Sequence, residues 1–352
     1  MAQSGTLAGT TSNHRPTHTD MATLFDSLPG LKMPVALLSP TLSRMWSQVK
    51  VEGHAPPSEF RASQMNLILH FGTSTSEAEA KTLFDTAILF AQRYPCRIVI
   101  LCPSEKPNDD QKSIDGKLFS QCYIGPTQRQ MCCCEAIILG YQTSEAGFLE
   151  SQVSVWLEND LPVYHWLHRV PAAKIEQYYL GSLKDCTRVL YDSTVEQDAY
   201  RDVPWPRPEY VRDLAYARLL NVRQGIGQYL SGFDPADLVK DLQEITFGHT
   251  AANLGEGNHL KAWTLSCLET CCTLTKTDFN AIKVSQTVLP EKGECGLSLE
   301  WHYANKRYFR WKYCEKTRTA TVDADLGKNQ QHFVQRVKTL DSDKALAEAL
   351  FF

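Results

Sequence analysis

This sequence has no excess of positive charge. Its 36 lysines and arginines stand against 40 aspartates and glutamates, for a formal net charge of -4. The broad basic footprint that nucleic acid requires is therefore missing. Missing too is any apolar run near the length of a bilayer span, since "AIILGY" is far too short. The opening "MAQSGTLAGTTSNHRPTHTD" has no charged stretch leading into an apolar one, as a signal peptide would. These absences lead to the expectation of a soluble, cytoplasmic protein with neither a nucleic-acid nor a membrane partner.

The twelve cysteines contain no C-x-x-C pair, the spacing that lets two thiolates converge on one ion. No metal site is expected, and in a reducing compartment all twelve should be thiols. The sequence also has no G-x-x-x-x-G-K-[ST], no G-x-S-x-G, no H-E-x-x-H and no EF-hand loop. No catalytic residue and no cofactor is expected, and the chain does not read as an enzyme.

What is present is ample core material: 43% of the 352 residues are hydrophobic and 22% charged. Residues 1–58 read as a polar tail expected to be disordered, a short helix near Thr41–Lys50 and the linker "EGHAPPSEF". From Met65 to Pro103, "MNLILHF", a helix with Ser76 and Glu79 in capping-box spacing, and "CRIVILCP" form a βαβ unit. Further strands and helices alternate beyond it, which predicts an α/β domain over 59–235 with a mixed, largely parallel sheet. Residues 236–352 change style. Leu297, Leu299, Trp301 and Tyr303 alternate with polar residues, and "ANK" reads as a hairpin turn. This predicts an α+β C-terminal domain with an antiparallel sheet, finished by the helix "DKALAEALFF".

The triplet Cys132-Cys133-Cys134 sits on a strand, where neighbouring side chains point to opposite faces, so it cannot chelate as a unit. Packing is the preferred reading of these cysteines and of Cys271 in "CLETCC". "LGEGNHL" at 254–260 lacks the third glycine of a phosphate loop and reads as a turn. His165 and His168, three apart on a strand, face opposite sides.

One feature stands out. "EYVRDLAYARLLNVRQGIGQYL" at 209–230 reads as one long helix, and Arg218 falls near the centre of its apolar stripe. A buried arginine needs a carboxylate, and Asp192 in "VLYDST" is the expected partner in an internal ion pair. Arg212 and Arg223 fall on the opposite, exposed face.

These segments also carry a family resemblance. Pro162-Val163 with Trp166, then Asp192-Ser193, then Asp213-Leu214 with Arg218-Leu219 and Arg223, and finally Phe233-Asp234 follow one another in a characteristic order. Their order and spacing resemble the glucose-6-phosphate dehydrogenase assembly protein family, OpcA. The resemblance implies a non-catalytic allosteric activator and assembly subunit. Its partner would be glucose-6-phosphate dehydrogenase, in the oxidative pentose phosphate pathway of carbohydrate metabolism. Such a protein–protein interface is expected to use Trp156, Trp166, Trp205, Arg212 and Arg223 as anchors. Two alternatives stay open. One is a sugar-phosphate or nucleotide-binding enzyme or module, with "CPSEKP" and "YDST" at its strand ends. The other is a redox sensor built on Cys132, Cys134 and Cys271.

Overall fold

The computed structural model describes residues 23–47, 63–104, 114–124, 131–196, 200–291 and 295–352. The expected tail, the "EGHAPPSEF" linker and the second half of "CPSEKP" lie outside them.

The first sheet has eight strands: β1 (Leu31–Pro34), β2 (Met65–Phe71), β3 (Cys96–Ser104), β4 (Asp115–Ile124), β5 (Met131–Gln142), β6 (Val163–His168), β7 (Arg188–Tyr191) and β8 (Val211–Asp213). Their order is β1-β4-β5-β3-β2-β6-β7-β8. From β5 to β8 every neighbouring pair is parallel, while β4 and β1 form an antiparallel edge. Every residue of β2 is buried, as expected of a strand with helices on both faces.

One face packs on α1 (Leu24–Ser27) and α3 (Glu77–Ala91). The other packs on α2 (Leu38–Ser47), α4 (Leu149–Ser154) and a helical run. That run consists of α5 (Ala172–Lys174), a π turn over Ile175–Tyr179 and α6 (Leu180–Lys184). The predicted capping box opens α3, with Ser76 and Glu79 bonded reciprocally.

The second sheet comprises β9 (Leu242–His249), β10 (Lys283–Val288), β11 (Leu297–Tyr303), β12 (Tyr308–Cys314), β13 (Thr319–Asp325) and β14 (Gln331–Arg336), in the order β10-β9-β11-β12-β13-β14. It is antiparallel except for the β9–β10 pair. Trp301, Phe309 and Trp311 fill its core.

The predicted helix over 209–230 is divided. Val211–Asp213 is the edge strand β8, paired with β7. After α7 (Ser193–Glu196) and β8 come α8 (Leu214–Arg218) and α9 (Leu220–Leu230), separated at Leu219. There the Arg218 carbonyl accepts from Leu340 N at 3.0 Å. The apolar stripe is consequently shared, with Leu214 and Ala217 in the first core and Val222 and Ile226 in the second. Beyond α10 (Pro235–Val239), the long α11 (Leu254–Thr275) lies over the second sheet. The terminal α12 (Ser342–Phe351), expected with the second sheet, returns to the first core. Its Ala345, Leu346, Ala349 and Leu350 pack beside α3.

Candidate functional site

From β2 the chain winds outward through β3 to β5, then restarts at β6 and winds the other way through β7 to β8. The order reverses between β2 and β6, and such switch points open a crevice at the carboxyl ends of the strands. Here one half of that crevice is filled by the chain itself. Gly72, just past β2, lies so close to the Arg169 carbonyl that an added Cβ would sit 1.6 Å from its oxygen. Glu79 closes the capping box at the start of α3, and its Oε1 accepts from Arg169 Nε at 2.9 Å and Nη2 at 2.6 Å. The Arg169 contact holds the Glu79 carboxyl down at about 2. Arg169 adopts a left-handed φ of 56° and donates its backbone N–H to Glu196 Oε1. Burial pushes Glu196 up to about 7.

A second network adjoins it and joins the two sheets' helices. Arg218 Nη1 and Nη2 donate to Asp192 Oδ2 and Oδ1 at 2.7 and 2.8 Å, and Nε donates to Glu256 Oε1 at 2.5 Å. Thr194 Oγ1 accepts from Arg218 Nη2 and donates to Glu256 Oε2 at 3.0 Å. Beside them Asp213 accepts from Ser193 N and Ala215 N, while His259 Nε2 lies 2.7 Å from its Oδ2. Burial alone would raise Asp213, but His259 and Ser193 hold it below the usual carboxylate range. The glycines of "LGEGNHL" serve close packing. A Cβ on Gly255 would meet Thr194 N at 2.7 Å, and one on Gly257 would meet the His249 side chain. The expected turn is thus the first turn of α11.

The outer side of this junction is a shallow concavity of about 420 Å³, lined among others by Trp205, Arg201, Arg212, Tyr216 and His259. Trp205 stacks on Tyr191 at 17° and donates Nε1 to the Tyr200 carbonyl. Arg212 is half-buried and donates Nη1 to Glu209 O and Val211 O. The Arg223 guanidinium lies 3.7 Å over the ring of Tyr216, which is 38% exposed. Trp205, Arg212 and Arg223 are therefore gathered on one face, through Tyr216.

Trp156 and Trp166 are not on it. They are 6% and 2% exposed and pack in the two cores of the first sheet, Trp156 in the one that holds α4 residues and Trp166 in the one that holds α3 residues. As surface anchors they are withdrawn. The redox trio is not brought together either. Cys134 is buried in the first sheet's core, and Cys271 packs against the second, where burial raises its thiol pKa. The Cys132 side chain lies outside the described residues. The expectation of twelve thiols fails at Cys122, which is disulfide-bonded and lies opposite Cys133 in the β4–β5 register. Among the described residues, no group of three or more His, Cys, Asp or Glu could hold a metal ion, and no helix is long and apolar enough to cross a membrane.

Sequence reading missed Glu79 and Arg169 as parts of the first network, and Glu256, Asp213 and His259 as parts of the second. Glu79 was visible only as a cap, and Glu256 only as a turn residue. No periodicity reports on partners from other elements.

Residues 87–203 match the family model described as the glucose-6-phosphate dehydrogenase subunit N-terminal domain, of the OpcA assembly family. Two relatives carry the provisional name OxPP cycle protein OpcA. The one from Synechocystis sp. is 23% identical over 202 residues, covering 55% of this chain and 40% of its own length. The one from Synechococcus elongatus is 27% identical over 165 residues, covering 45% of this chain and 35% of its own. Residues 87–203 thus resemble the N-terminal domain of the OpcA family. The matched OpcA stretch spans 40% or less of those relatives' length. Among solved structures, a 3-ketoreductase, KijD10 from Actinomadura kijaniata, is 9% identical over 81% of this chain and 88% of its own. Its TM-score of 0.40 is too low to carry an argument. The OpcA domain match begins inside α3 and ends just before Trp205, so it contains Arg169, Asp192 and Glu196.

Proposed function

We propose that this chain binds glucose-6-phosphate dehydrogenase, aids its assembly and raises its activity without catalysing a reaction itself. Such a role belongs in the cytoplasm, at the head of the oxidative pentose phosphate pathway. The observation that carries the reading is the face where Trp205, Arg212, Tyr216 and Arg223 meet beside the junction of the two sheets. Aromatic and arginine side chains dominate the binding energy of interfaces, and here they are presented from a rigid base. The filled half-crevice supports the same reading. In a doubly wound sheet the start of the helix after the first strand receives a dinucleotide's pyrophosphate. In this chain the Glu79 carboxylate occupies that helix start and is paired with Arg169.

An activator works by binding its target's active conformation more tightly. A difference of about 3 kcal/mol corresponds to roughly 150-fold in affinity. The test is a steady-state assay of the dehydrogenase from the same organism, titrated with this protein, together with co-elution on size exclusion. A saturable rise in turnover or fall in KM is expected. Tyr216→Ala and Arg223→Ala should each weaken binding about tenfold, a loss typical of hot spots, with little change in melting temperature. Absence of both activation and co-elution would discard the reading.

A further inference from the structure

The other half of the switch-point crevice is open. It has a volume of about 320 Å³ and lies at the ends of β2, β3 and β5. Gly72, Thr73, Tyr141, Thr143, Lys174 and Tyr179 contribute to its lining. The Lys174 ammonium lies 5.1 Å over the Tyr178 ring. A cation, hydroxyls and aromatic walls therefore converge at the place where doubly wound sheets take ligands.

A buried hydrogen-bond chain assigns a direction to one of those hydroxyls. His165 Nε2 lies 3.3 Å from His70 Nδ1, His70 Nε2 lies 2.8 Å from the Tyr141 hydroxyl, and that hydroxyl lies 3.0 Å from the Tyr179 hydroxyl. Both histidines are fully enclosed and neutral, since burial holds His70 well below its ordinary value and His165 at about 3. Among the described residues, His165 Nδ1 has no hydrogen-bond partner. A neutral imidazole has one N–H, and an orphaned buried N–H is the rarer defect than an unused acceptor, so Nδ1 is the bare nitrogen. Nε2–H of His165 then donates to His70 Nδ1. His70 Nε2–H donates to Tyr141, and Tyr141 donates to Tyr179. The Tyr179 proton is left over, on a side chain that lines the crevice. Tyr179 also closes the π turn, a distortion that recurs where a helix serves a site.

We propose that this crevice binds a small metabolite with one oxyanion head, a carboxylate or phosphate, held by Lys174 and by the spare proton of Tyr179. Thr73 and Thr143 meet a short hydroxylated body. A dinucleotide is excluded because Glu79, Arg169 and the Gly72 contact close the adjoining half. The assignment stands independently of the dehydrogenase reading.

Isothermal titration of the full chain with glycerol 3-phosphate, glycerate and inorganic phosphate tests it, with glycerol as the uncharged control. At least one anion is expected to saturate below 1 mM while glycerol does not. Glycerol 3-phosphate against glycerate separates the phosphate head from the carboxylate. Lys174→Gln should lower the affinity at least tenfold, Lys174→Arg should retain most of it, and Tyr179→Phe should lower it about fivefold. Lys174 is half-exposed, so its variants should fold normally, which circular dichroism checks. No saturable binding by any of the three anions would overturn the assignment. So would an affinity indifferent to Lys174→Gln.

Discussion

Arg218 grips Asp192 in parallel, Nη1 to Oδ2 and Nη2 to Oδ1, from a helix whose next residue already belongs to the other core. The same guanidinium reaches Glu256 on α11. One side chain thus ties a strand end of the first sheet to a helix of the second. Removing it strands two carboxylates with little water, since the side chains of Asp192 and Glu256 are 16% and 7% exposed. Arg218→Met should therefore cost about 3–5 kcal/mol. Arg218→Lys should recover only part of this, because an ammonium cannot make the two parallel bonds. Urea unfolding of the three proteins measures both; equal stability of variant and parent would refute the latch.

Acid should weaken the fold early. Burial holds His165 at about 3, His168 at about 4 and His70 well below its ordinary value of 6.5. Below pH 6.5 the unfolded chain takes up these protons and the folded chain does not. Each histidine therefore removes about 1.4 kcal/mol per pH unit, and its contribution is complete only above 6.5. Glu196, raised to about 7 by burial, acts oppositely, because the folded chain binds its proton between pH 7 and 4.5. The net expectation between pH 6.5 and 4.5 is a loss of stability as the pH falls, since three histidines oppose one carboxyl. Denaturant midpoints at pH 7, 6 and 5 check the sign, and a flat profile would count against neutral histidines.

Two glycines mark places where backbones touch. A Cβ at Gly72 would sit 1.6 Å from the Arg169 carbonyl oxygen, and one at Gly255 would sit 2.7 Å from Thr194 N. Gly255→Ala should cost about 1–3 kcal/mol as α11 shifts away from α7. Gly72→Ala should cost more, since its obstacle is closer and lies just past the ends of the central pair β2 and β6. Thermal melts rank them, and the reverse order would contradict the packing.

Lys117 is a buried cation with no carboxylate bond among the described residues, and it donates instead to the carbonyls of Phe25, Asp26 and Leu28 at 2.8, 3.1 and 2.9 Å. It fastens the segment carrying α1 to β4. Lys117→Met removes all three bonds and should cost about 2 kcal/mol. Amide exchange over residues 23–34 should quicken at least tenfold while β2 and β3 stay protected. Unchanged exchange there would mean that Phe25 and Leu28 alone hold the segment.

The elements that local pattern could reveal are those whose residues bury against whatever is nearest. "MNLILHF" and "CRIVILCP" are buried almost throughout and became central parallel strands, and the alternation in "GLSLEWHY" became β11. The short edge strands β1 and β8 escaped notice because three or four residues carry no period. The 209–230 stripe was read as one helix because its apolar spacing is continuous. Its division at Leu219 follows from contacts with two separate cores and with Leu340, some 120 residues away.

For the candidate site the line falls in the same place. The sequence by itself determined that Arg218 needs a carboxylate and that Ser76 and Glu79 cap a helix, because helical spacing and fixed charge are local properties. It also carried the family resemblance. Only the tertiary structure decided that Trp156 and Trp166 are core while Trp205 faces outward, since an indole's burial depends on what packs over it. Only the fold, too, brought Glu79 to Arg169 across 90 residues and closed half of the crevice. Such pairings depend on strand order, which is settled by how the helices cover both faces of the sheet and not by any local signal.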